Sequence, residues 1–393
     1  MNKFVARVYQ KFLFVASKFL KFREPYIYKS KDSFVQFIND IKEKNYRKIM
    51  FVTGKTVCKL DLFNEMLALL KENNLDYFLF NEVSPDPSIV EIEKGVQFFK
   101  ENNCDLIISV GGGSSIDAGK IIAARITNNK PISKMKGLLK ITKNPIYFVA
   151  IPTTAGTGSE CTIAAVVSDK ENNKKFAISD PKLIPSACIF IPEFLTGLSP
   201  RLIASTGMDA LTHAVEAYIG HSNTRKTKND ALQAIKLIKE NLLKAYQNPS
   251  DLQAQSNMQF ASYLAGRAFT KAYVGNVHAL AHSFGAYCHI SHGFANAVIL
   301  PHVLKYYGKT IDKKSKEISN FIDLDVSLID WINNLNKSFN IPNKFDIDIS
   351  NDLNNMIEHA YKEAVPLYPS PMVFTKKDFK NLFEELTIKK ETY

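Results

Sequence analysis

Asp105–Ile126 reads DLIISVGGGSSIDAGKIIAARI, and its two halves follow different periodicities. Asp105–Val110 is a short apolar run of strand length. Gly111, Gly112 and Gly113 follow, and Ser114–Asp117 then lead into AGKIIAARI, which has helical character. Three glycines let a backbone turn tightly and approach a ligand with no Cβ in the way. The amides at the start of the new helix form a site for an anion such as a pyrophosphate. The pattern is not G-x-G-x-x-G, and it follows the third strand candidate rather than the first. A turn that merely needs glycine would read the same way, so the neighbouring segments have to decide.

Those neighbours alternate between strand and helix. KIMFVTG (48–54) and YFLFNEV (77–83) are strand-like, and amphipathic stretches at Leu60–Lys71 and Ser88–Asn102 separate the first three strands. YFVAIP (147–152), AAVVSD (164–169) and ACIFIP (187–192) come next. This β-α-β-α-β order predicts a doubly wound, mostly parallel sheet with right-handed crossovers, spanning residues 25–196. A second polar loop, IPTTAGTGSE (151–160), follows a strand and offers hydroxyls and amides together. Two such loops at the carboxyl ends of strands describe a nucleotide crevice. At the end of the first strand, an acidic residue would bond the adenosine ribose and repel a 2′-phosphate. Gly54, Lys55 and Thr56 stand there instead, so room, a cation and a hydroxyl favour NADP(H) over NAD(H).

After Thr196 the strand signals stop and helix signals dominate, which places a domain boundary near residues 195–199 and an all-helical domain over 197–393. Two segments there carry metal-binding residue types. In GMDALTHAVEA, Asp209 and His213 are four apart and share a helix face. Val277–His302 (VHALAHSFGAYCHISHGFANAVILPH) holds five of the eight histidines and no Asp, Glu, Lys or Arg. Neutral imidazoles among apolar residues suit a metal. The bland alternative is a buried helix whose histidines satisfy core hydrogen bonds, and a cluster of this density weighs against it. Spacing leaves the ligand set open: His278 and His282 are also four apart, with His292 as an optional third. Asp plus three nitrogens fits Fe2+ or Zn2+, and less readily Mn2+ or Co2+.

Composition bounds the rest. At 393 residues, 46% hydrophobic and 23% charged, the chain is long enough for two domains with a sizeable core. The net charge of +11 is spread along the sequence and mixed with acids, so it reads as a solvated surface and not a nucleic-acid footprint. No apolar run reaches the length of a membrane span. Five cysteines without a CxxC pair suggest neither a zinc ribbon nor a disulfide framework, and a cytoplasmic setting is the simpler expectation. Residues 1–24 are set apart. They are basic, with Phe4, Val8, Phe12, Val15 and Phe19 on one helical face and Lys3, Arg7, Lys11 and Lys18 largely elsewhere. Such a segment docks on its own protein or a subunit partner, or lies in a membrane interface.

GGGSSID, IPTTAGTGSE, GMDALTHAVEAY and the histidine stretch, in this order and spacing, resemble the signature runs of the iron-containing (group III) alcohol dehydrogenases. The resemblance runs from about Tyr26 to Thr387 and implies a metal-dependent dehydrogenase that moves hydride between NAD(P)(H) and an alcohol or aldehyde. It implies Asp209, His213, His278 and His292 as ligands, with Fe2+ foremost, and His282 as a non-ligand that relays protons. It assigns Gly112, Gly113, Ser114 and Asp117 to the pyrophosphate loop, and Thr153, Thr154, Thr157 and Thr162 to the second loop. Lys175 matches a cofactor contact, and Asp86 stands where many members have Asn. Gly54 stands where NAD-preferring members have Asp, and Ser283 replaces a common Pro. A homodimer with a small-molecule substrate is the implied assembly. Rival readings of the same fold are a glycerol-dehydrogenase-like or dehydroquinate-synthase-like enzyme; a non-catalytic metal and nucleotide binder is a further one.

Overall fold

The structure, a computed structural model, describes residues 2–17, 19–29, 32–172 and 174–388. Lys18 therefore lies outside the described residues. The chain divides into two compact units: Leu20–Gly197, and Leu198–Tyr393 together with Met1–Phe19.

The α/β unit follows a short leading helix of the other unit, α1 (Lys3–Ser17). It contains β1 (Tyr26–Tyr28), α2 (Ser33–Glu43), β2 (Lys48–Thr53), α3 (Asp61–Glu72), β3 (Asp76–Phe80), α4 (Ile89–Glu101), β4 (Leu106–Gly111) and α5 (Gly113–Thr127). β5 (Gly137–Leu138), β6 (Phe148–Pro152), β7 (Ala164–Asp169), β8 (Lys174–Ser179) and β9 (Ala187–Ile189) complete it. The main sheet is parallel, in the order β1-β9-β6-β4-β2-β3. β4 and β6 are buried along their whole length, which explains their unbroken apolar sequence, because helices cover a parallel sheet on both faces. A capping box of Ser88 and Glu91 starts α4.

The chain leaves β2 toward β3 and returns to β4 on the opposite flank, so the strand order reverses between β2 and β4. Crevices at such switch points, beyond the carboxyl ends of strands, are where this architecture takes nucleotides. Gly54 ends β2 and the glycine run ends β4, one on each side of the reversal.

Two expectations need revising. AAVVSD is a strand, but it belongs to a separate three-stranded sheet, β5-β8-β7, where it runs antiparallel to β8. The link from β6 is too short to hold the crossover that parallel pairing requires. β1 was not anticipated: three residues are too few to show a period, and pairing with β9 defines it.

The helical unit comprises α1 and α6 (Pro200–Ile219), α7 (Arg225–Gln247), α8 (Leu252–Ala272), α9 (Asn276–Cys288), α10 (His292–Tyr307), α11 (Asp312–Phe321), α12 (Leu328–Ser338), α13 (Leu353–Ala364) and α14 (Lys376–Leu386). The histidine stretch is two helices. His289 caps α9 in the left-handed region at φ 55°, and α10 begins at His292. α9 packs against α10 and α13, and α10 against α6.

α5 lies close on the sheet at Gly119, where a Cβ would come within 2.6 Å of the Phe148 ring and closer still to the Ser109 hydroxyl. Gly119→Ala is therefore expected to destabilise the fold by about 1–3 kcal/mol through overpacking. A denaturant midpoint equal to the parent's would contradict this close approach.

Candidate functional site

Helix α6 carries Asp209, His213 and Glu216 at positions i, i+4 and i+7 of one face, all buried. α9 contributes His278, and the first turn of α10 contributes His292. One donor atom from each of Asp209, His213, His278 and His292 lies within 4.8 Å of the others. His292 Nε2 is 3.4 Å and His278 Nε2 3.9 Å from Asp209 Oδ1. Donors bound to one ion at 2.0–2.2 Å lie roughly 3.3–4.3 Å apart, so the set fits a divalent metal.

The environment fixes which nitrogen His278 offers. His278 Nδ1 is 2.6 Å from Glu216 Oε2, and a carboxylate can only accept, so Nδ1 carries the proton and Nε2 keeps its lone pair. Glu216 also accepts from the amides of Gly275 and Val277, each at 2.8 Å. Burial drives the His278 pKa well down, reinforced by the neighbouring histidines, which keeps the ring neutral as a ligand must be. His213 stacks between Phe269 and His278, at centroid distances of 4.2 and 4.5 Å. Asn296, one turn past His292, donates to Asp209 Oδ1 at 2.7 Å.

His282 sits one turn beyond His278, its ring stacked on His292 at 4.9 Å. Its Nδ1 is 2.5 Å from Glu363 Oε1 on α13, and Tyr368 donates to the same oxygen at 2.6 Å. Burial pushes the Glu363 pKa up, but His282 and the bonds from His282 and Tyr368 outweigh it and leave the net shift downward. Ser283, where the resemblance has Pro, donates to Met356 O at 2.9 Å and ties α9 to α13. His289 is exposed, and His302 is held by Glu385 and the Asn343 carbonyl.

In the α/β unit, the expected cofactor residues fall into two groups. Gly112, Gly113, Ser114, Thr153, Thr154 and Thr157 lie in two loops that touch. A Cβ on Gly113 would be 2.9 Å from the Thr157 methyl, and one on Gly112 would be 3.4 Å from the Thr154 hydroxyl. Thr153 N donates to Gly111 O, and Ser114 Oγ to Pro85 O. α5 starts without a side-chain cap or an acidic residue in its first turn, which keeps its amides available to an anion. Asp117 and Thr162 brace these loops. Asp117 accepts from Ser159 Oγ and Val166 N, while Thr162 is buried against the ammonium of Lys120. Asp86 and Lys175 form an exposed ion pair at 2.5 Å. Gly54 leaves its Cβ position in ordinary contact with Val83 O.

Sequence reasoning missed Glu216, Asn296, Glu363 and Lys120. Glu216 had a readable signal, three residues past His213 on the same face. Asn296 had a similar one, four residues past His292 on the same face. Glu363 had none, because only the packing of α13 on α9 brings it to His282.

The family model for iron-containing alcohol dehydrogenases matches residues 25–192, and that for the C-terminal domain of the Fe-containing alcohol dehydrogenase family matches residues 203–387. The chain belongs to the iron-containing alcohol dehydrogenase family. As a member it is an NAD(P)-dependent alcohol dehydrogenase. An NAD-dependent methanol dehydrogenase of Bacillus methanolicus is 33% identical over 356 residues, which are 88% of this chain and 93% of that protein. An NADPH-dependent butanol dehydrogenase of Clostridium saccharobutylicum is 33% identical over 375 residues, 91% and 95% of the two chains. A solved 1,3-propanediol oxidoreductase superposes with a TM-score of 0.88 at 32% identity, covering 93% of this chain and all of the other.

Asp209→Ala should leave the purified alcohol dehydrogenase without bound metal. Glu216→Gln keeps every donor but loses the anchor of His278, and metal affinity should fall about 10–100-fold. Competition against a chelator measures both; parental affinity in the Glu216 variant would remove its positioning role.

Proposed function

We propose that this dehydrogenase uses NADP(H) in preference to NAD(H) on a small alcohol or aldehyde. It does so with one divalent ion, Fe2+ or alternatively Zn2+, held by Asp209, His213, His278 and His292. The observation that carries the metal reading is the convergence of these four donors within 4.8 Å, with Glu216 locking the tautomer of one of them. When bound, the ion supplies Lewis acidity toward the substrate oxygen and the nicotinamide supplies or accepts the hydride.

His282 carries the proton. Glu363 fixes Nδ1 as the donor, which leaves Nε2 to take up a proton or give it away. Its side chain is 40% exposed, so exchange with water is open to it. In the α/β unit, the amides opening α5 and the hydroxyls of Thr153, Thr154 and Thr157 hold the cofactor phosphates. Asp117 and Thr162 keep the two loops in position. Asp86 and Lys175 contribute at the exposed rim.

Gly54 supports the NADP(H) preference. No carboxylate is present at the end of β2 to repel a 2′-phosphate, and exposed Lys55 and Thr56 follow. The relatives' names include both cofactors, so the preference rests on these residues. A reducing, cytoplasmic setting, expected from five cysteines with no CxxC pair, and a homodimer belong to the same reading. No described helix is long and apolar enough to cross a membrane.

Two experiments test the proposal. Gly54→Asp should lower the NADPH-over-NADH ratio of kcat/KM at least tenfold; an unchanged ratio would mean that the 2′-phosphate is read elsewhere. His282→Ala should retain its metal while kcat falls on the order of 100-fold and its pH profile changes. Loss of metal in that variant would make His282 a ligand.

A further inference from the structure

Helix α1 is docked by its polar side. Arg7 donates through Nη1 to Ser370 O and through Nη2 to Pro371 O, each at 2.8 Å. Gln10 Nε2 donates to the carbonyls of Pro366 and Tyr368 at 3.0 and 2.8 Å. Ala6 and Gln10 are the residues buried beneath it. The face left open to solvent is apolar. Val5, Val8, Phe12 and Val15 fall at i, i+3, i+7 and i+10 of one stripe, flanked by Phe4 and Tyr9. Phe4 is 73% exposed and Phe12 66%. A helix that only needed to pack on its own protein would turn this stripe inward.

Charge selects what covers it. Residues 1–23 contain Lys3, Arg7, Lys11, Lys18, Lys21 and Arg23 and no acid. Lys3 and Lys11 on α1 are exposed. Lys11 borders the stripe and Lys3 is exposed at the helix start, so a second copy seated there would bring like charges together, while Arg7 is taken up on the docked side. A plane of anionic headgroups over an apolar interior complements both the lysines and the stripe. We propose that α1 is an interfacial anchor that seats the enzyme on an anionic lipid surface, with its apolar stripe in the acyl boundary and its polar side held by the 366–371 segment. The anchoring is peripheral and reversible, since one short helix with a few cations gives modest affinity.

The metal-loaded full-length enzyme is incubated with vesicles of phosphatidylcholine alone or with 30% phosphatidylglycerol, and the pelleted fraction is measured. Binding is expected only to the anionic vesicles, and it should fall as salt is raised. Phe4→Ser with Phe12→Ser should reduce the bound fraction about tenfold, and Lys3→Gln with Lys11→Gln several-fold, while turnover of a soluble alcohol is unchanged. Failure of the parent to pellet with anionic vesicles overturns the proposal, as does equal pelleting of the phenylalanine variant. If that variant instead changes the sedimenting mass of the enzyme without vesicles, the stripe is an interface between copies and the membrane proposal falls.

Discussion

A single buried carboxylate sets the frame of the helical unit. Glu216 lies on α6 and gathers three donors from the start of α9: the amides of Gly275 and Val277, and His278 Nδ1. Burial raises its pKa to about 7, and the backbone amides of Val277, Gly275 and His278 oppose the rise. A charge so placed without partners would be strongly destabilising, so the turn that supplies the donors has little freedom to move. The turn must also be bare. A Cβ on Gly275 would stand 2.6 Å from Glu216 Oε1. The contact that holds α9 against α6 is therefore the one that aims His278 Nε2 at Asp209. Asn296 extends the frame to α10 by bonding the same Asp209.

The α/β unit applies the same economy to a different problem. On the proposed reading two loops present amides and hydroxyls to an anion, and loops on their own are mobile. Here buried polar groups fasten them from behind: Asp117 to Ser159 and Val166, and Lys120 to Thr162 and Ala164. Burial lowers the Lys120 pKa to about 8 against the pull of Asp117, which marks how far this ammonium has been taken from water. The glycines have a second use. Gly113 admits Thr157 at a distance no side chain would allow, so one loop is keyed into the other.

Much of this was legible because it is periodic or local. The buried runs of β2, β4 and β6, the glycine turn and the Asp209/His213 pair each declare themselves within a few residues. AAVVSD shows the limit: its residues give a strand, but only the length of the preceding link says which sheet it joins. The histidine stretch shows another, since its helix breaks at His289, a residue with no strong stop signal. That break lets His278 and His292 converge across a hairpin. Glu363 was beyond reach altogether, because it lies 81 residues from His282 and meets it only through packing.

His278 and His282 separate what spacing alone left joined. They are one turn apart on α9, and each gives Nδ1 to a glutamate, Glu216 or Glu363. Their surroundings differ. The His278 side chain is 2% exposed and its Nε2 faces Asp209, whereas the His282 side chain is 40% exposed. A ligand must keep its lone pair toward the ion at all times, and burial enforces this by suppressing protonation. A proton carrier must meet solvent and still point correctly, which calls for a fixed Nδ1 and an accessible Nε2. On the proposed reading, two rings with the same local chemistry take different work, separated by depth and by what Nε2 faces.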